Sequence, residues 1–149
     1  MPTIKLETKI FSTIEICFDL SRSIELHKIS TVKTKEKAIA GKVSGLLELN
    51  ETVTWQATHF GVLQTLETKI TSFEKPYFFT DVQIKGIFKS FSHSHFFEQK
   101  NDFVLMKDVF EFQSPFGVLG KVFTYFVLTN YMKNFLIERN TVIKQNAYR

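Results

Sequence analysis

From about residue 30 to residue 114 the apolar side chains recur at every second position, and after Ser114-Pro115 they recur every third or fourth. A period of two sends alternate side chains to opposite faces of a strand, whereas steps of three and four gather them on one face of a helix. The chain is therefore a run of strands closed by one helix. Val53, Trp55, Ala57 and His59 share one face, and Val62, Leu66 and Ile70 form another inward row beyond a turn at Gly61. Lys75-Pro76 breaks the pattern before the strand over 77–84. Residues 86–97 form one long strand with Phe91, His93, His95 and Phe97 on one side, and Gly86 either bulges or starts it. A polar hairpin turn over 99–102 follows, after which Val104, Met106, Asp108, Phe110 and Phe112 make the next alternating face.

Ahead of this run, Ile4, Leu6, Thr8 and Ile10 alternate with Lys5, Glu7 and Lys9, the pattern of a strand with one buried face. The period then changes. Ser12 is placed to cap a helix, Glu15 is its capping-box partner, and Ile14, Cys17, Phe18 and the later Ile24 recur at helical spacing. Two short helices over about 13–20 and 22–28 are expected, parted by Ser21 and Ser23. At the other end, Pro115 suits a first helical turn because the amide it lacks has no partner there. Val118, Val122, Tyr125, Thr129, Met132, Leu136 and Ile143 then run down one face, interrupted by Arg139. A helix of about 28 residues spans roughly 42 Å, enough to lie across the concave side of a curved sheet. The fold class is α+β: strand, two helices, six strands and a long helix, with about seven strands in one antiparallel sheet.

The 149 residues fit one domain, 1–149, that buries about two-thirds of its unfolded surface. Seventeen phenylalanines stand against one tryptophan and four tyrosines. Phenylalanine brings apolar area with no polar handle, so this bias builds either a thick core or a cavity for an apolar ligand. The 19 Lys and Arg exceed the 15 Asp and Glu, but they are scattered, which argues against a nucleic-acid stripe. Lys33, Lys35 and Lys37 suit the solvent side of an edge strand. The single cysteine excludes an internal disulfide and fits a reducing compartment. Among Ile14, Ile16 and Phe18, Cys17 is a buried, inert thiol. The first ten residues lack the apolar core of a signal peptide, and no stretch approaches the roughly 18–20 uncharged residues of a membrane span. A cytoplasmic protein without integral membrane association is the expectation.

Asp81, His93, His95, His59 and Asp108 are the polar candidates on inward or mixed faces. Two readings compete. In one, they form the polar end of an apolar pocket and orient a ligand's hydroxyl, carbonyl or carboxylate, while Trp55, Phe91, Phe97, Met106, Phe110, Tyr125 and Met132 hold its apolar body. In the other, they form a buried hydrogen-bond network that sets strand register and holds the last helix, with Asp108 paired to Arg139 or a histidine. His93 and His95 offer two metal ligands and His59 a third. Yet positions i and i+2 of a strand lie roughly 7 Å apart, and no cysteine cluster or His-Glu helix motif is nearby. No metal and no cofactor are expected. As an enzyme, the chain has His93, His95 and Asp108 as candidate catalytic groups, a histidine serving as general acid or base. It carries no serine elbow, phosphate loop or dinucleotide fingerprint. A third class is an interaction module, monomer or homodimer, presenting Phe78, Phe79, Phe96 and Phe116 outward.

The element order resembles the helix-grip fold of the START and Bet v 1-like superfamily, also called SRPBCC. Locally it is similar to the bacterial ligand-binding branch, which includes polyketide-cyclase-like proteins and domains often called cell-division-related. That branch shows an aromatic, an aspartate two residues on, a glycine, a phenylalanine and then aromatic-x-His-x-His-x-Phe, here Phe79, Asp81, Gly86, Phe88, Phe91, His93, His95 and Phe97. A second signature corresponds to Asp108, Phe112, Pro115, Gly117 and Arg139. The chain departs in having Gly86-Ile87 where relatives often have Gly-Pro, and Phe91 where they often have tryptophan. The resemblance covers essentially the whole chain. It implies a cavity between sheet and helix for a hydrophobic small molecule, lipid or polyketide-like, or else a cyclase, dehydratase or isomerase. It carries no agreed catalytic set.

Overall fold

A computed structural model describes residues 2–114, 122 and 127–148. Strand β1 (Thr3–Ile10) leads into α1 (Ile14–Ser21), α2 (Ile24–Ser30) and a 3-10 turn (Val32–Thr34). Six strands follow: β2 (Lys37–Gly41), β3 (Thr52–His59), β4 (Val62–Glu74), β5 (Phe78–Lys85), β6 (Ser90–Gln99) and β7 (Val104–Gln113). The last described element is α3 (Thr129–Ala147). The seven strands form one antiparallel sheet in the order β1-β7-β6-β5-β4-β3-β2, so the first strand closes beside the last. This is the expected strand, two helices, six strands and helix. Pro115, Val118 and Tyr125 of the expected helix fall outside the described residues; the 19 residues of α3 span about 28 Å.

Alternation governs the central strands. Phe91, His93, His95 and Phe97 of β6 are all buried, as are Val104, Met106, Asp108, Phe110 and Phe112 of β7. Register shifts in β2 and β4 bend the sheet. The β3–β4 hairpin turns on Phe60 and Gly61, both at positive φ, as a two-residue turn matched to strand twist requires. Beside that turn, at the end of its strand, Val62 is exposed rather than inward as its spacing suggested, while Leu66 and Ile70 do turn inward. Gly86 neither bulges β6 nor starts it: residues 86–89 connect β5 to β6. A Cβ at Gly86 would meet the ends of the Leu66 and Gln83 side chains at 2.5 and 2.6 Å, so a larger residue would require both to move aside.

Three further expectations change. The N-cap of α1 is Thr13, not Ser12: Thr13 is extended and its hydroxyl accepts from the Ile16 amide, while the Ser12 hydroxyl is buried without a partner. Only Lys37 of the three lysines lies on an edge strand, because the 3-10 turn takes up the chain before it. Phe79 is core, not surface. It shares the inward face of β5 with Asp81, whereas Phe78 points the other way and packs on Phe96 at 5.0 Å between ring centres. Phe116 falls outside the described residues.

Among the described residues the interior holds three apolar clusters, two of them rich in phenylalanine. At one end Phe18 meets Phe73, Phe79 and Phe97 edge-on at 5.4, 5.4 and 5.5 Å, packed with Ile10, Cys17, Met106 and Ile143. At the other, Phe88, Phe91, Phe110, Phe112 and Leu136 form a second cluster, and here the space under the sheet is not filled. Among the described residues no helix is long and apolar enough to cross a membrane.

Candidate functional site

The three strands β5, β6 and β7 bring their polar residues to one face in the middle of the sheet. Their register sets Asp81 opposite His93, and His95 opposite Asp108. Each histidine reaches the carboxylate on its diagonal, a distance that long side chains on one face can bridge. His93 Nε2 lies 2.7 Å from Asp108 Oδ1, and His95 Nε2 lies 2.9 Å from Asp81 Oδ1. The two imidazoles stack at 3.8 Å, and Phe79 stacks on His95 at 4.1 Å. From α3, Asn140 Nδ2 donates to Asp108 Oδ2 at 2.7 Å. Arg139 donates through Nη2 to the Ser21 carbonyl at 2.8 Å and through Nη1 to Asn140 Oδ1 at 3.3 Å. Of the two partners expected for Asp108, the structure supplies the histidine and adds an asparagine; among the described residues Arg139 forms no ion pair.

Burial alone would raise the Asp108 carboxyl, but the His93 hydrogen bond and the charges of His93, His95 and Arg139 outweigh it and hold the group well below the ordinary carboxylate range. Asp81 is lowered in the same way, burial being overcome by its bond to His95. His95 moves the other way for an imidazole: burial, then the neighbouring His93, push it down to about 4 against the pull of Asp81. It is neutral at pH 7. Its Nδ1 is buried with no hydrogen-bond partner and lies 3.5 Å from Asp108 Oδ1.

These groups border a cavity of about 430 Å³ between the sheet, α2 and α3. Trp55, His59, Phe91, His93, His95, Phe110 and Met132 all line it, with Asp81 and Arg139 beside the imidazoles. Phe97 and Met106 do not. They lie farther along β6 and β7, where α1 packs on the sheet and Phe18 fills the space. Asp108 stands behind His93 rather than on the wall, and Tyr125 falls outside the described residues.

A second polar group sits elsewhere on the wall. His59 Nδ1 lies 2.6 Å from the Tyr131 hydroxyl, and His27 Nε2 lies 3.1 Å from Glu36 Oε1. Burial lowers His59, opposed by the charge of Glu36. His27, Glu36, Tyr131 and Phe135 were not singled out from the sequence. Tyr131 and Phe135 stand one place before Met132 and Leu136, and an apolar stripe more than 100° wide includes both members of each pair. Glu36 follows a 3-10 turn and carries no periodic signal.

No family model matches the chain, and no curated protein matches it by sequence. Solved structures do. TTHA0849 from Thermus thermophilus superposes with a TM-score of 0.74 at 12% identity, over 95% of this chain and 97% of its own. Major latex-like protein 151 from Panax ginseng gives 0.72 at 16% identity over 99% and 98%. Ara h 8.0201 gives 0.65 at 9% identity over 95% and 97%. At such identities the likeness is one of fold, and it spans both chains nearly end to end.

Proposed function

We propose that this chain, which has the helix-grip fold of the Bet v 1-like superfamily, binds a hydrophobic small molecule with one polar end in the cavity between its sheet and α3. One observation carries the reading. The cavity wall is largely apolar and carries two polar groups, Asp81, His93, His95 and Arg139 in one and His27, Glu36, His59 and Tyr131 in the other. A network serving only to set strand register has no need of an opening onto 430 Å³ of space, and that volume falls in the usual range of small-molecule sites. The Bet v 1-like fold of the structural neighbours supports a binding role in general terms.

Affinity in such a site comes mainly from apolar contact, about 25 cal/mol per Å² before ordering costs. Trp55, Phe88, Phe91 and Phe110 supply that surface. The polar end sets direction: the Arg139 guanidinium suits a carbonyl or carboxylate oxygen, and Asp81 suits a hydroxyl donor. A lipid or a polyketide-like compound meets both demands. Native mass spectrometry of the untagged protein, set beside its denatured mass, tests this. A defined apolar adduct that leaves on denaturation is expected. A chain that carries only its own mass and does not take up a fluorescent apolar probe at micromolar concentration would overturn the reading.

A further inference from the structure

One ring nitrogen of His93, one of His95 and a carboxylate oxygen of Asp81 lie within 4.8 Å of one another. We propose that these three side chains bind a single divalent transition-metal ion of the zinc class on the cavity wall. Two imidazoles and a carboxylate are the donor set of three-ligand zinc sites that keep one position open. Metal–ligand distances of about 2.0–2.2 Å would draw such donors to roughly 3.4 Å apart, a small closure for side chains on two adjacent strands. His93 and His95 lie two places apart on one strand, yet their rings stack at 3.8 Å, and the third ligand expected from the sequence was His59. The strand register puts Asp81 there instead, directly opposite His93.

The surroundings of the histidines fit this role. His93 has Nε2 committed to Asp108, which Asn140 holds in turn, so Nδ1 is the nitrogen left for a ligand. A carboxylate on the far nitrogen is the usual partner of a metal-bound imidazole, fixing its tautomer and direction. His95 supplies the sharper argument. A neutral imidazole has one proton. With that proton on Nε2, donated to Asp81, the buried Nδ1 is a lone pair with no donor. A metal at Nε2 forces the proton to Nδ1, where Asp108 Oδ1 at 3.5 Å is the acceptor. The proton only changes nitrogen, and the atom stranded without metal gains a partner.

Charge agrees with the geometry. Arg139 opposes a cation, but the two carboxylates bonded to the imidazole pair, Asp81 and Asp108, carry one charge more than it does. The open coordination position faces the cavity, but the metal site stands whether or not an organic ligand binds there.

The test uses the full-length, untagged protein after chelation and dialysis. Calorimetric titration with zinc chloride is expected to give one ion per chain, and cobalt(II) to give visible ligand-field bands. Asp81→Asn and His95→Gln are each expected to weaken zinc binding at least tenfold. Long-range proton–nitrogen NMR of the wild type is expected to show the His95 proton moving from Nε2 to Nδ1 as zinc is added, a readout that stands even where a variant misfolds. Absence of saturable zinc and cobalt binding, or binding with no change in the His95 tautomer, would overturn the proposal. Neither result bears on uptake of an apolar probe, so the metal site and the organic-ligand site fail separately.

Discussion

Cys17 has no exposed surface, and burial pushes its thiol up to about 11. In the unfolded chain the thiol ionises from about pH 8.5–9 upward. Between those limits the unfolded state therefore holds fewer protons than the folded one, and stability must fall as pH rises. The stabilising contribution is whole below pH 8.5 and is lost as pH approaches 11, on the order of 2–3 kcal/mol in all. Cys17→Ala removes that slope at the cost of a small void. Urea unfolding at pH 8 and pH 10.5 checks this: the stability gap between wild type and variant should shrink or reverse, and a constant gap would refute it. At this scale the sequence was a good guide to faces and a poor one to partners. Alternation placed Asp81, His93, His95 and Asp108 inward. It could not say that Asn140, 32 residues beyond Asp108, would complete the network, nor that Phe91 and Phe97 on one face of one strand would meet a cavity and a filled core.

The start of α1 separates two cap assignments that a Ser-Thr pair leaves open. Ser12 with Glu15 matches the capping-box spacing, yet it is Thr13 that is extended and accepts from Ile16, at 3.4 Å. Thr13→Ala should therefore cost about 0.5–1 kcal/mol, the low end of a cap loss given that long bond. Ser12→Ala should be neutral or stabilising by up to about 1 kcal/mol, because it removes a buried hydroxyl with no partner. Thermal unfolding of the two variants decides, and the opposite order would return the cap to Ser12. The same limit runs through the other elements. Strand and helix identity came through because periods of two and of three to four persist over many residues. Ends and turns came through less well, since they depend on single contacts. At Gly86 the tip of Leu66, twenty residues earlier, stands 2.5 Å from where a Cβ would be, a contact that no local pattern announces.

Across the whole molecule, the sheet divides its interior between a packed end, centred on Phe18, and an open end, centred on the cavity. That division makes stability and binding separable. Phe18 touches three other phenylalanines and has no exposed surface, so Phe18→Leu should lower stability by about 1–2 kcal/mol. It adds nothing to the cavity wall, and probe affinity should hold. Met132 is half-buried on that wall. In a close-packed core a larger side chain costs about 1–3 kcal/mol through strain, but here the added ring has empty space to enter. Met132→Trp should thus leave the urea midpoint almost unmoved while weakening binding of an apolar fluorescent probe at least tenfold. Measuring both quantities on both variants gives four numbers with opposite expectations. If Phe18→Leu also weakened binding, the two ends would be one cooperative unit. If Met132→Trp kept full affinity, the ligand would lie elsewhere, and the cavity under α3 would be only a gap in the packing.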